Sequence, residues 1–287
     1  MRILMHLGLN KCASTTIQSA LSNAAKTLSE AGVYYPLSDS DGAHYGLSKY
    51  YGFGPVNAEI RPTSLADLVA EARIAGCHSL ILSSEYMSLY APRAVRTVLA
   101  DLTGCGADTR FLLFRRSTDA WIRSLFNQYV KTVDGGDYLP SIDAFAKRVL
   151  NNGAIDVARR VLQWRDSVGA SRVDLVSISE HGEPGTILGP FEAFADCRLA
   201  CAVRVPENVS INTDALYAIG RLRQESPSNQ RDREIAKLLA GSTPAVSAPE
   251  DYVRLGAETR RQLQANVTEP ADALGWRPIG LEAGVAA

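Results

Sequence analysis

Short apolar runs alternate with stretches of helical periodicity along this chain. Residues 2–9 (Arg-Ile-Leu-Met-His-Leu-Gly-Leu) are too few for a helix and end in a polar loop, which predicts a buried strand. Apolar positions then recur at helical spacing over residues 15–31, and Gly32 stops them. Residues 33–35 read as a short strand closed by Pro36, and residues 37–62, rich in Gly, Ser, Asp and Tyr, as an irregular loop on the substrate side. The alternation resumes with a helix over 65–75, a strand over 79–84, a helix over 92–102 and a strand over 111–114. Helices over 119–131, 142–150 and 154–168 and a strand over 173–178 follow. The remainder reads as helix and loop, with an Ala/Pro/Ser-rich insert at 241–249 and no internal repeat. Strands alternating with helices predict an α/β fold, a central mostly parallel sheet between two helical layers. Residues 1–287 are expected to form one domain whose last part, from about residue 180, is less regular and mostly helical.

Charge narrows the function classes. With 30 basic against 31 acidic residues, no global bias favours nucleic acid or anionic lipid, so positive charge must act locally. No apolar run approaches the length of a membrane span, and the first strand is a poor signal peptide, so a cytoplasmic protein is expected. The five cysteines (Cys12, Cys77, Cys105, Cys197 and Cys201) form no CxxC pair. They are expected to be free thiols in a reducing compartment, and no metal site is expected.

The chemistry concentrates in two strand-to-helix junctions. The first, Asn10-Lys11-Cys12-Ala13-Ser14-Thr15-Thr16-Ile17-Gln18, puts a lysine and three hydroxyls at a helix start. There the unpaired amides and the positive end of the helix dipole favour an anion. Lys11 adds a point charge, and Ser14, Thr15 and Thr16 are expected either to cap the helix or to bind anion oxygens. The pattern is P-loop-like but is not a Walker A motif, because GxxxxGK[ST] is absent. The second junction ends a strand on Arg115-Arg116 and continues into a helix, with Ser124 eight residues beyond Arg116. Two such junctions fit a ligand with two anionic ends.

On these residues the chain resembles the sulfotransferases that use 3′-phosphoadenosine 5′-phosphosulfate (PAPS), most closely the bacterial carbohydrate-type branch. The family's PKxGTTxIQ loop, which binds the 5′-phosphosulfate, corresponds to residues 10–18 here, with Asn10 in place of the usual Pro and Ala13 in place of the usual Gly. Since Ala13 takes a positive φ only at a cost, the loop is expected to differ slightly or to stay right-handed there. The family's Arg, with Ser eight residues later, binds the 3′-phosphate and corresponds to Arg116 and Ser124. Residues 125–131 are similar to the SxYNQxVK run of bacterial members, and residues 207–212 and the helix near Asn266 carry a looser likeness. The resemblance implies PAPS as co-substrate and adenosine 3′,5′-bisphosphate (PAP) as product. It assigns Lys11, Cys12, Ala13, Ser14, Thr15, Thr16, Arg116 and Ser124 to the donor, and a glycan or glycolipid hydroxyl as acceptor.

Sulfuryl transfer, like phosphoryl transfer, moves charge onto the leaving oxygen, so Lys11 is the expected electrostatic catalyst. A base must then meet the acceptor hydroxyl. Glu85, at the end of the strand over 79–84, is the expected base, because ligands of open α/β sheets sit at carboxyl ends of strands. His44, in Gly42-Ala43-His44-Tyr45-Gly46, is the rival, and His6 reads as a core residue. Trp121, Phe126 and Tyr129 lie at core spacing. A P-loop-type kinase, or a nucleotide-binding protein without catalysis, are the alternatives; the sequence leaves acceptor and oligomeric state open.

Overall fold

The computed structural model describes residues 1–37, 42–54, 56–132, 138–152, 156–178, 187–199, 212–225 and 228–278. Its strands are β1 (Arg2–Leu7), β2 (Val33–Tyr34), β3 (Ser79–Ser84), β4 (Asp108–Arg115), β5 (Val173–Ser177) and β6 (Arg277–Pro278). All pair in parallel, in the order β2-β3-β1-β4-β5-β6. Every residue of β3, and every residue of β1 after Arg2, is buried. Successive side chains of a strand point to opposite faces, so both faces of the sheet are covered. The fold is thus the expected α/β type, with helices on both sides of a parallel sheet.

The chain divides into two compact units. The first, Met1–Ser117, Ala158–Pro206 and Leu274–Ala287, holds the whole sheet. Its helices are α1 (Ser14–Asn23), α2 (Ala25–Glu30), α3 (Tyr45–Tyr51), α4 (Leu65–Ile74), α5 (Pro92–Gly104), α8 (Val157–Val168, from its second residue) and α9 (Gly189–Ala195). Trp164 anchors the core, fully buried among Phe53, Tyr90 and Phe111 at ring separations of 6.2, 6.1 and 5.4 Å. The second unit, Thr118–Val157 and Glu207–Ala273, is helical: α6 (Thr118–Thr132), α7 (Ile142–Asn151), α10 (Thr213–Gln224), α11 (Asn229–Leu239), α12 (Ala257–Leu263) and α13 (Glu269–Asp272). Phe126 forms its centre, packed against Phe145 and Tyr252 at 5.6 and 5.5 Å. Trp121 and Phe126 are buried, as their spacing implies.

Several expectations need correction. The helix expected over 15–31 is broken at Ala24, whose φ of −92° and ψ of 3° close α1 before α2 begins. The segment 37–62 is not irregular throughout, since it contains α3. Glycine and three tyrosines make that helix weak in isolation, and burial of Leu47, Ser48 and Tyr51 overrides the propensity. Gly46 is required there, because a Cβ would lie 2.6 Å from the Arg61 carbonyl. Strand β6 was not expected; Arg277 secures it through Asp174 of β5 at 2.9 Å, a carboxylate that Arg110 of β4 also holds. Residues 207–211, His181 and Cys201 lie outside the described residues. Among the described residues, no helix is long and apolar enough to cross a membrane.

Truncating Trp164 to Ala removes the largest buried side chain of the first unit and should cost about 3–5 kcal/mol. Urea unfolding followed by circular dichroism measures this.

Candidate active site

The strand order reverses beside β1. The chain leaves β1 towards β2, on one side, and leaves β4 towards β5, on the other, so the carboxyl ends of β1 and β4 flank the switch point where open α/β sheets bind ligands. With β3 on the other side of β1, three strand ends carry the predicted chemistry to one edge: residues 8–16 after β1, Glu85 after β3 and Arg116 after β4.

The loop after β1 bends twice into the left-handed region. Lys11 has φ 65° and Ala13 φ 64°, whereas Cys12 between them does not. Ala13 is therefore left-handed, so of the two expectations the right-handed one does not hold. Each such residue costs about 1–2 kcal/mol, so the fold retains a strained turn here. Within this turn the Cys12 amide is donated to the Leu9 carbonyl at 3.1 Å, which closes the loop on itself before the helix starts. Ala13 is also the N-cap residue of α1 and supplies no side-chain acceptor. The first intrahelical bond runs from the Ile17 amide to the Ala13 carbonyl, which leaves the amides of Ser14, Thr15 and Thr16 with no acceptor in the helix. The three hydroxyls do not cap it, because they occupy its first turn instead of the position before it. Ser14 is buried and its hydroxyl turns back to the Leu9 carbonyl; Thr15 is exposed and Thr16 half-buried.

Glu85 opens a 3-10 turn directly after β3 and is half-buried. Tyr45, the first residue of α3, donates its hydroxyl to Glu85 Oε1 at 3.2 Å. Gly8 lets the loop and this strand end approach, since a Cβ there would lie 2.8 Å from Ser14 Oγ and 3.2 Å from Glu85 Cα. His44 is not the exposed loop base that the sequence allowed. It is buried, its Nδ1 accepts from the Ser83 amide at 2.8 Å, and its Nε2 lies 2.9 Å from the Pro36 carbonyl. An amide can only donate and a carbonyl can only accept, so the proton sits on Nε2 and both nitrogens are committed. Burial pushes His44 down to about 4. His6 is a core residue, with Nδ1 on Ser83 Oγ at 2.8 Å and Nε2 without a hydrogen-bond partner against the Phe114 and Phe191 rings. Burial pushes it down to about 3.

The second junction meets the first at Cys12. Burial pushes its thiol up to about 12, against the opposing pull of the Arg116 amide and guanidinium beside it. The Cys12 side chain is thus packed inward, and its amide is bonded to the Leu9 carbonyl. Arg115 lies over Trp276 at 4.9 Å. Ser124 is a half-buried residue of α6 in the second unit. A cleft of about 830 Å³ in that unit is lined by Asp143, Arg254, Arg260, Arg261 and Gln264 among others, and by none of the predicted site residues. Sequence reasoning missed Gly8 and Tyr45. The tight Gly8 contact leaves no local signal, whereas Tyr45 stood next to a histidine already singled out. The chain matches no protein-family model, no curated protein and no solved structure.

Replacing Ala13 with Gly relieves the left-handed penalty and should stabilise the protein by about 1 kcal/mol in urea unfolding. Acid should weaken the fold in a defined window. Unfolded imidazoles titrate near 6.5, whereas His44 and His6 are held to about 4 and about 3. Below the unfolded value the unfolded chain binds more protons than the native one. Stability is therefore full above about pH 6.5 and falls as pH drops, by at most about 1.4 kcal/mol per pH unit for each imidazole. Urea midpoints at a series of pH values measure the slope, which His44→Gln should reduce.

Proposed function

We propose that this protein is a sulfotransferase that moves the sulfuryl group of PAPS to a hydroxyl of a carbohydrate or glycolipid. The observation that carries the reading is the convergence of the left-handed loop at residues 11–13, Arg116 and Glu85 on one edge of the sheet. The open amides of Ser14, Thr15 and Thr16 hold the 5′-phosphosulfate, with the α1 dipole behind them. Lys11 faces the bridging oxygen, where negative charge grows as the sulfur–oxygen bond breaks. Arg116 holds the 3′-phosphate as a planar fork.

Glu85 is the base. It takes the proton of the acceptor hydroxyl while that oxygen forms its bond to sulfur and PAP departs with the electrons of the broken bond. Tyr45 occupies Oε1, so Oε2 is the oxygen offered to the acceptor. His44 has no lone pair left for this work. The catalytic charge comes from the chain itself, through Lys11, Arg116 and the helix start.

Thermal unfolding with PAP, and separately with ATP–Mg²⁺, tests the donor site. PAP at a hundred times its Kd should add about 2.7 kcal/mol of stability. Arg116→Ala should abolish that shift. Stabilisation by ATP–Mg²⁺ together with indifference to the 3′-phosphate would overturn the reading in favour of a kinase. With radiolabelled PAPS and a panel of glycans, Lys11→Gln and Glu85→Gln should each lower kcat by about 10²-fold or more.

A further inference from the structure

Strand β2 pairs with β3 only at Ser79 and Leu80, so the rest of that edge of β3 has no neighbouring strand among the described residues. Ser83 turns its backbone amide and carbonyl to this side, and both are buried, where unpaired they would be costly. His44 satisfies the pair. Its own amide donates to the Ser83 carbonyl at 2.8 Å and its imidazole Nδ1 accepts from the Ser83 amide at 2.8 Å. One residue thus completes the ladder that β2 leaves unfinished, using a side chain where a strand would use a carbonyl. The Pro36 carbonyl takes the remaining imidazole proton, so the ring cannot turn.

The two residues that flank this clamp are the ones that meet in the site. Tyr45 follows His44, Glu85 lies two residues after Ser83, and the Tyr45 hydroxyl donates to the Glu85 carboxylate. A second tie, Ser48 Oγ to Ser84 Oγ at 2.7 Å, fixes α3 against the same strand end. On the other side, Ser83 Oγ accepts from Gln18 Nε2 of α1 at 3.1 Å, which links the strand of the base to the helix of the donor loop. We propose that His44 is a positioning residue: by clamping Ser83 it sets Tyr45 against Glu85 and holds the carboxylate in its reactive orientation. The proposal rests on the sulfotransferase reading above.

Sulfate release from PAPS, with water as the acceptor, is the probe. His44→Leu and Tyr45→Phe should lower kcat by about tenfold or more while the Kd for PAP and the KM for PAPS stay within about twofold, the mark of a misaimed group with intact binding. His44→Gln, which keeps an acceptor and a donor, should recover most of the rate. In a Glu85→Gln background neither His44→Leu nor Tyr45→Phe should cost anything further, because both act through that carboxylate. A merely structural His44 would give losses that add to Glu85→Gln, and that result would overturn the proposal, as would an unchanged kcat in Tyr45→Phe. Tyr45→Phe deletes one hydroxyl, so it keeps the test decisive if His44→Leu does not fold. Wild-type protein that neither binds PAP nor releases sulfate would instead sink the sulfotransferase reading itself.

Discussion

The left-handed backbone at Lys11 and Ala13 is the constraint around which the candidate site is built. A strand that ends at Leu7 and a helix that starts at Ser14 must be joined so that the helix start faces the sheet edge. The turn that does so places two residues with Cβ atoms where glycine is usual. Their unfavourable conformation is held by what surrounds them: Leu9 and Cys12 are buried, the Cys12 amide is bonded to the Leu9 carbonyl, and Gly8 is wedged against Glu85. Strain sustained in this way persists only where packing over-determines it, and such places are commonly functional.

The parallel sheet supplies the second requirement. All its strands point the same way, so every strand end lies at one edge, and residues far apart in sequence meet without a dedicated scaffold. Cys12 and Arg116 are neighbours because β1 and β4 are neighbours, and Glu85 joins them because β3 lies on the other side of β1. The cost of a parallel sheet is its unfinished edges. β2 is only two residues long, and the chain completes the rest of that edge with His44 in place of a longer strand.

Most of the sheet was legible because its signal is local. Residues 79–84 set an apolar Leu80-Ile81-Leu82 centre between small serines, all buried, and the observed strand has those bounds. Strand β4 extends on both sides of its apolar centre, with Asp108 and Arg110 at exposed positions and Arg115 at its end. α3 escaped notice because tertiary burial, not propensity, makes it a helix. Both candidate junctions were visible as residue types placed where a strand becomes a helix. Loop handedness was left open because intrinsic preference at Ala13 competes with packing, and a sequence shows only the preference.

His44 illustrates the deeper limit. A histidine between Ala43 and Tyr45 has the same identity whether it is a base or part of a strand edge. What separates the two is whether its lone pair meets water or a buried amide. That depends on where β2 ends and on Ser83, which lies far from residue 44 in the chain. The same edge that removes His44 from the chemistry makes Tyr45 available to it. Glu85 thereby gains a fixed hydroxyl donor at one carboxylate oxygen, which leaves the other for the acceptor proposed above. A carboxylate on a short turn has several rotamers of similar energy, and a single donor on a helix start selects among them. The proposed base therefore owes its orientation less to its own strand than to the segment that completes that strand's edge.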